Sequence, residues 1–347
     1  MSVNVLTESR DYGRLLEFAR ENMLPGIVSA AIDSQPGISI FTGRIANAMY
    51  PEAGPQGRGR RVGGGDSTVF KVRLGKNETV QELSGGYGAY DTTPQDNVRH
   101  GRINWKLYGG TINLSGHEVD VNASSESVVN IVEDEMRDTV ESMLDLMGSH
   151  LYTNSGNPNR LTGLEQIISA NDSIYGLSGA ASAFGSAWCS RGVSPDGTAP
   201  GSISFTASPT SFTSAGMANL RTAWNQSSEG LSMQPEFILT TLTNHERYEG
   251  SIEVQHRVTN MALADAGIRA LQFKEAPVIP DRKCTAGAFY FLNTDKIWMQ
   301  ILSGCDFAST PWLETEKQRV QVMKVYVTCE MACNDRKRVN KLVGITA

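Results

Sequence analysis

The chain has 347 residues, of which 40% are hydrophobic and 20% are charged, and its formal net charge is -6. This composition is typical of a folded protein and excludes a chain that is disordered throughout. An acidic chain also lacks the overall basic charge with which proteins usually bind nucleic acid.

Cysteine usage and the N-terminal sequence indicate the compartment. The five cysteines are odd in number and widely spaced, which favours free thiols in a reducing environment over a disulfide framework. The N-terminus has no basic-then-apolar signal, and no apolar run approaches the ~18 residues of a membrane span. We therefore expect a protein that is made in the cytoplasm and does not enter a membrane.

Residues 1–50 are predicted to form an N-terminal arm. A short amphipathic helix is expected from Tyr12 to Asn22, and Pro25-Gly26 is expected to close it. The apolar patches that follow are too short to build a core of their own. The arm is therefore expected to lie on another part of the protein.

A long hairpin is predicted next. Ser67–Leu74 alternates between an apolar face and a face that carries Lys71 and Arg73, which is typical of a β-strand with one charged side. A return strand is expected at Arg102–Leu107, continuing to Leu114, with a Gly-rich tip between the two strands. Because an isolated hairpin is only marginally stable in water, this one is expected to need a neighbouring chain.

A Gly- and Arg-rich segment at residues 57–65 precedes the hairpin. Its glycine spacing fails the dinucleotide fingerprint by one residue, and the segment is not bracketed by a strand and a helix. Phosphate contact stays open as an alternative, but a hinge with charges for an inter-subunit contact is favoured. The predicted inter-subunit contact residues are Arg58, Arg60, Arg61, Lys71 and Arg73.

The longest periodic stretch of the chain is Asn122–Tyr152. Apolar residues recur there in steps of three and four, which predicts one amphipathic helix of about 40 Å. Ser124 or Ser125 is expected to cap its start. The opposite face is rich in Asp and Glu, and the predicted favourable ion pair on it is Glu133 with Arg137.

Residues 160–310 alternate between predicted strands and helices and are expected to form an α/β lobe. The elements expected with most detail are a helix at Phe212–Trp224, a strand at Pro235–Leu242, a helix at Asn244–Val254, and strands at Arg269–Phe273, Ala288–Leu292 and Ile297–Leu302.

A long strand is predicted at Arg319–Met331. Its valines do not all share one face, so either a bulge near Met323-Lys324 or burial of both faces is expected. We expect this strand to pair with a sheet that begins earlier, beside the long helix. Val339–Ile345 is expected to return antiparallel after a turn at Asn334-Asp335-Arg336.

No motif in the sequence predicts catalysis. Cys329 and Cys333 would share one face of a strand, but no second ligand pair follows, so buried small residues are favoured over a zinc site. No phosphate-binding loop and no Gly-x-Ser-x-Gly turn is present. We therefore expect no catalytic, cofactor-binding or metal-binding residues, no cofactor, and no enzymatic activity.

The order of these parts resembles the major capsid proteins of tailed bacteriophages, which have the Hong Kong 97-type fold. Short phrases in the same order strengthen the resemblance over nearly the whole chain. They are Trp105-Lys106, Leu151-Tyr152-x-x-x-Gly156, Leu161-x-Gly163-Leu164, Pro277-Val278-x-x-Asp281, Tyr290-x-Leu292-Asn293 and Cys333-Asn334-Asp335-Arg336.

The resemblance implies an α+β fold with a fixed division of the chain. The implied parts are an N-terminal arm at 1–50, the E-loop hairpin and start of the peripheral domain at 51–115, a peripheral domain with the long spine helix at 116–158, an α/β axial domain at 159–312, and returning strands of the peripheral domain at 313–347.

The resemblance also implies a structural function. Hexamers and pentamers of the chain would form an icosahedral phage head around double-stranded DNA, without sequence-specific binding. A separate scaffolding protein and a portal would be its partners, and the protein would be made in the host bacterial cytoplasm and end in the virion. Two alternatives stay open: an encapsulin-like compartment of the same fold, and a β-rich cytosolic hydrolase with an unrecognised site.

Overall fold

The computed structural model describes residues 16–42, 60–73, 77–82, 89–95, 97–117, 125–154, 156–169, 172–177, 188, 203–204, 210–211, 216–228, 234–253, 271–315, 319–343 and 345–346. The chain divides into two compact units, each built from three separate stretches. Unit 1 comprises Met1–Gly64, Trp105–Leu161 and Met299–Glu330, and unit 2 comprises Gly65–Asn104, Thr162–Trp298 and Met331–Ala347.

The described residues contain both helices and strands. The helices are a π-helical turn at Ala19–Met23, α1 at Leu24–Asp33, α2 at Pro36–Phe41, α3 at Ser125–Leu151, α4 at Leu164–Ile167, α5 at Met217–Ser227, α6 at Leu242–Glu253 and a 3-10 turn at Arg336–Arg338.

The strands follow in the same order. They are β1 at Arg60–Val62, β2 at Ser67–Arg73, β3 at Val98–Asn104, β4 at Lys106–Ser115, β5 at Ile203–Ser204, β6 at Thr210–Ser211, β7 at Phe237–Thr240, β8 at Leu271–Phe273, β9 at Ala276–Pro280, β10 at Phe289–Leu292, β11 at Ile297–Leu302, β12 at Ala308–Ser309, β13 at Leu313–Glu314, β14 at Val320–Cys333, β15 at Asn340–Val343 and β16 at Ile345–Thr346.

The prediction of a long amphipathic helix is confirmed by α3, which has 27 residues. The residues of its stripe are buried, among them Val132, Met136 and Val140, each with no exposed surface. The stripe packs against α1, α2 and β4, all within unit 1. Burial of each large apolar side chain contributes about 1.5–3 kcal/mol, which is why a helix with this pattern folds in this place.

The predicted end of the N-terminal helix at Pro25-Gly26 is wrong. Residues 16–33 are helical throughout, and residues 12–15 of that prediction lie outside the described residues. Pro25 stands in the first turn of α1, directly after the π-helical turn. Pro25 cannot donate a helical hydrogen bond, and the wider π-helical turn directly before it leaves room for the proline ring.

The long C-terminal strand is confirmed as β14. It pairs antiparallel with β4 in one continuous register, from Val320 opposite Ser115 to Cys329 opposite Lys106. An uninterrupted ladder leaves no bulge on this side near Met323. The second expectation, burial of both faces, holds instead, because every residue from Val327 onward is buried.

The predicted return strand is two strands. β3 pairs with β2 in the hairpin, and β4 pairs with β14, while Trp105 between them is in no strand. Local alternation could not show this division, because the two halves differ only in the distant strand with which each pairs.

Unit 2 contains a mixed sheet in the order β5-β15-β10-β7-β9-β8. Its central strands β7 and β10 are buried on both faces. Trp224 of α5 and Tyr248 of α6 pack into the same core cluster as Phe289 and Phe291 of β10. The predicted α/β lobe is therefore present in residues 216–228, 234–253 and 271–292.

The predicted return of residues 339–345 is only partly correct. β15 is antiparallel to β10 and parallel to β5, rather than returning on β14. This pairing places Leu342 opposite Phe289 of β10, and both residues are buried in the same core cluster.

The hairpin of unit 2 has a tight point at its centre. Gly101 of β3 lies opposite Phe70 of β2, and a Cβ added to Gly101 would stand 2.6 Å from the Phe70 ring. Real Cβ atoms do not approach that closely, so the ring occupies the space that a side chain would need. The packing of the Phe70 ring therefore requires glycine at position 101.

We predict that Gly101→Ala destabilises the chain by about 1–3 kcal/mol, because the Phe70 ring must leave its position. Urea unfolding of the purified chain measures the change. Gly156→Ala is the matched control, since a Cβ there meets nothing within 4 Å. The double variant Gly101→Ala with Phe70→Leu should lose less than the sum of the single losses; full additivity would show that the two residues do not share this space.

Candidate functional site

The exposed face of the β2–β3 hairpin carries basic side chains. Lys71, His100 and Arg102 are exposed on it, together with Val69. Neither strand contains an acidic residue. The predicted strand with one charged face is therefore confirmed, and the hairpin presents positive charge although the whole chain is acidic.

The other face of the hairpin is anchored inside unit 2. The Arg102 N–H donates to the backbone O of Tyr175 over 2.9 Å, and the Phe70 and Tyr175 rings meet edge to face at 5.4 Å. Tyr175 and Gly176 both have positive φ, 56° and 77°, which makes the turn between Ile174 and Leu177 tight. The Tyr175 hydroxyl donates to the Met331 backbone O over 2.7 Å.

A buried arginine holds the loop that precedes this turn. Arg336 has no exposed surface, and its guanidinium donates to the backbone oxygens of Ile167, Gln166, Asp172 and Ser169. Its charge lies over the Trp188 ring, 5.9 Å from the centroid. Carbonyl oxygens that end a short helix have no helical partner, and this guanidinium supplies the missing donors.

A half-buried carboxylate joins α4 to the sheet of unit 2. The Glu165 carboxylate accepts from the Lys341 ammonium of β15 and from the Tyr290 hydroxyl of β10. Tyr290 also lies 2.9 Å from the Thr285 hydroxyl. Burial and the Glu165 charge raise the pKa of Tyr290, so the tyrosine remains a hydroxyl donor.

The predicted inter-subunit contact residues that the structure describes are divided between the two units. Arg58 lies outside the described residues. Arg60 and Arg61 are in β1 of unit 1, and Arg61 forms an ion pair with Asp306. Lys71 and Arg73 are in β2 of unit 2, where Lys71 is exposed. Whether these residues contact another subunit stays a prediction.

A carboxylate stripe runs along α3. Asp134, Asp138, Glu141 and Asp145 are exposed and fall within roughly 60° of the helix circumference, opposite the buried stripe. The predicted pair of Glu133 with Arg137 is present at 3.0 Å. Charge is therefore segregated between elements, negative on α3 and positive on the hairpin.

The thiols give no sign of a metal or catalytic site. Cys329 and Cys333 are buried and free, and burial raises the pKa of Cys333 to about 12. In the described ranges, no group of three or more His, Cys, Asp or Glu residues could hold a metal ion. Also in that part of the chain, no helix is long and apolar enough to cross a membrane.

Sequence reasoning missed these two polar groups. Arg336 was predicted only as part of a turn, and Glu165 was not singled out. No local signal marks an arginine that binds backbone oxygens some 170 positions away in the sequence. The available hint was composition, because loops with many Gly, Ser and Asn have backbone groups that polar side chains elsewhere can bind.

No protein-family model and no curated protein sequence matches this chain. Solved structures do match. A chain of the cyanophage A-1(L) capsid asymmetric unit superposes with a TM-score of 0.60 at 14% identity, covering 89% of this chain and 94% of that chain. The chain has the Hong Kong 97-type capsid fold.

Two further structures agree with this fold. The SrpI encapsulin of Synechococcus elongatus PCC 7942 gives a TM-score of 0.50 at 11% identity, with 82% of this chain and 84% of that chain covered. A chain of Mycobacterium phage Bobi gives 0.50 at 9% identity, with 88% and 98% covered. The expected α+β class and the Hong Kong 97-type fold are therefore confirmed.

We predict that Arg336→Met destabilises the chain by about 3–5 kcal/mol, because the buried oxygens of Ile167 and its neighbours lose their donors. Thermal or urea unfolding of the purified chain measures the loss. Lys337→Met, one residue on, is the matched control and should change stability by less than about 0.5 kcal/mol. Equal stability of the two variants would show that the hydrogen bonds of Arg336 do not stabilise the chain.

Proposed function

We propose that the chain is the major capsid protein of a tailed bacteriophage. The observation that carries the proposal is the superposition on a cyanophage capsid chain over 89% of this chain. In this function, hexamers and pentamers of the chain close into an icosahedral shell. The role is structural rather than enzymatic.

The parts of the fold have assigned roles in this proposal. Residues 1–50 are the N-terminal arm, 51–115 the E-loop and start of the peripheral domain, and 116–158 the peripheral domain with α3 as spine helix. Residues 159–312 are the axial domain, and 313–347 return to the peripheral domain. The pairing of β14 with β4, which packs on α3, supports the return of residues 320–329, whereas β15 pairs with β10 of unit 2 and does not support the return of the last residues.

The enclosed material is proposed to be double-stranded DNA, bound without sequence specificity. The carboxylate stripe of α3 supports this, because a surface with Asp138, Glu141 and their neighbours exposed repels a polyanion and does not adhere to it. A scaffolding protein and a portal are the proposed partners. The protein would be made in the bacterial host and reside in the virion.

An encapsulin-like compartment is the second candidate, and the superposition on the SrpI encapsulin favours it. Such a shell encloses protein in place of DNA. The two candidates share every feature of the fold and differ in the content of the shell. The content is therefore the quantity to measure.

Electron microscopy and size-exclusion chromatography of the expressed chain test the proposal. We expect closed shells, because a capsid chain buries its assembly surfaces only in contact with further copies. Absorbance of purified shells near 260 and 280 nm then separates nucleic acid from protein content. A chain that stays monomeric under crowding, alone and with a co-expressed scaffolding protein, would contradict the shell function.

The basic residues of the hairpin and of the segment before it are proposed to contact a neighbouring subunit. They are Arg58, Arg60, Arg61, Lys71 and Arg73. Lys71 supports this best, since it is exposed at the centre of the hairpin, and no ion pair within the described part of the chain involves it.

We predict that Lys71→Glu raises the critical concentration for shell assembly about two- to fivefold, since an exposed charge contact is worth about 0.5–1 kcal/mol. Light scattering against protein concentration measures it. Lys324→Glu, also exposed on a strand, is the matched control and should assemble as the unsubstituted chain does. Identical behaviour of both variants would exclude Lys71 from the subunit contact.

A further inference from the structure

Two side chains on one face of β4 hold the turn by which the chain leaves unit 1. The Lys106 ammonium donates to the backbone O of Pro158, and the Leu161 N–H donates to the Tyr108 hydroxyl oxygen over 2.9 Å. Leu161 is the last residue of unit 1 before the chain enters unit 2. The exit turn, residues 158–161, is thus fastened to one strand at both of its ends.

The Tyr108 hydroxyl has a second partner on α3. It lies 2.9 Å from Nδ1 of His150, in the last turn of that helix. A hydroxyl that accepts from the Leu161 N–H still has its own proton to donate. A neutral imidazole with its proton on Nε2 offers Nδ1 as the acceptor for it. In that tautomer, the direction of donation runs from amide to hydroxyl to imidazole.

Protonation of His150 reverses the last of these bonds. An imidazolium carries a hydrogen on each nitrogen, so Nδ1 becomes a donor. Tyr108 is only 6% exposed, and the described contacts of its hydroxyl are the amide of Leu161 and the imidazole. Its proton would then be buried without an acceptor, which is unfavourable.

Burial and nearby charges set the protonation of His150 and Tyr108. Burial, and next the positive charge of Arg160 in the exit turn, lower the pKa of His150. Burial raises the pKa of Tyr108 to about 12, so the hydroxyl keeps its proton. On the strands beside them, the Lys106 ammonium is 3.8 Å from the Glu330 carboxylate, and the Cys329 thiol is buried.

We propose that Tyr108 and His150 form a proton-operated latch, in which protonation of His150 breaks the Tyr108 contact and frees the Leu161 end of the exit turn from β4, while Lys106 still holds Pro158. The neutral imidazole is the form that the folded chain favours. The latch is therefore closed above the ordinary histidine pKa of about 6.5 and opens as the pH falls below it. This is a property of the single chain and does not depend on the proposed shell function.

Hydrogen exchange of the full chain, followed by mass spectrometry, tests the latch. Peptides that cover residues 156–163 report the protection of the Leu161 amide at about pH 7.5 and about pH 5, after correction for intrinsic exchange. We expect this protection to fall about tenfold at the lower pH. Unchanged protection of the unsubstituted chain would overturn the proposal.

Variants separate the latch from a general effect of acid. His150→Gln offers the Tyr108 proton an acceptor that does not titrate, so its protection should be equal at both pH values. Tyr108→Phe should show low protection at both, and Arg160→Gln a smaller fall than the unsubstituted chain.

The exposed His100 supplies the matched control for histidine replacement. His100→Gln should keep the full acid-dependent loss of protection. A loss that persists in His150→Gln would assign the pH response to another group. Because that variant retains a hydrogen-bonding side chain, it decides the question even if Tyr108→Phe fails to fold.

Discussion

The burial of the apolar stripe of α3 is the interaction on which unit 1 depends. A helix of 27 residues that buries one stripe needs cover along its length, and no single neighbour of ordinary size supplies it. β4 packs against the helix, and α1 and α2 supply the rest of the cover. Since β4 must itself be paired, β14 from the far end of the chain completes the unit. The three-part composition of unit 1 follows from this one requirement.

Unit 2 is cross-linked by two polar side chains of α4 and of the C-terminal stretch. The buried guanidinium of Arg336 donates to the backbone oxygens of residues 166, 167, 169 and 172, between α4 and the turn at Ile174–Leu177. Glu165 of α4 is satisfied in turn by Lys341 of β15. Both donors come from the last stretch of the chain, so the loop and the C-terminal segment specify each other. Removal of a buried donor leaves several acceptors unsatisfied at once, so such a group contributes to the stability of the fold.

Periodicity in the sequence was sufficient for α3, for the alternating face of β2, and for β14, because each of these patterns records local burial. It failed at Trp105 and at β15, where the structure depends on which distant strand offers a partner. It also failed at Pro25, because the π-helical turn before α1 accommodates a proline that would ordinarily end a helix. The basic face of the hairpin could be predicted as well, because it follows from the alternation of apolar and charged residues in β2. The roles of Arg336 and Tyr108 could not, because each satisfies groups that are remote in the sequence.

Acidic and basic side chains lie on different elements of the structure. A soluble monomer commonly mixes positive and negative charges over its surface. Here, the charged residues of β2 and β3 are all basic, and the exposed face of α3 is mostly acidic. Two copies of such a surface repel each other in most orientations and attract in few. The individual contacts are weak at an exposed surface, so they select an orientation without locking it. Weak, oriented contacts repeated over many copies permit correction of misplaced subunits, which is the property that the proposed shell would require.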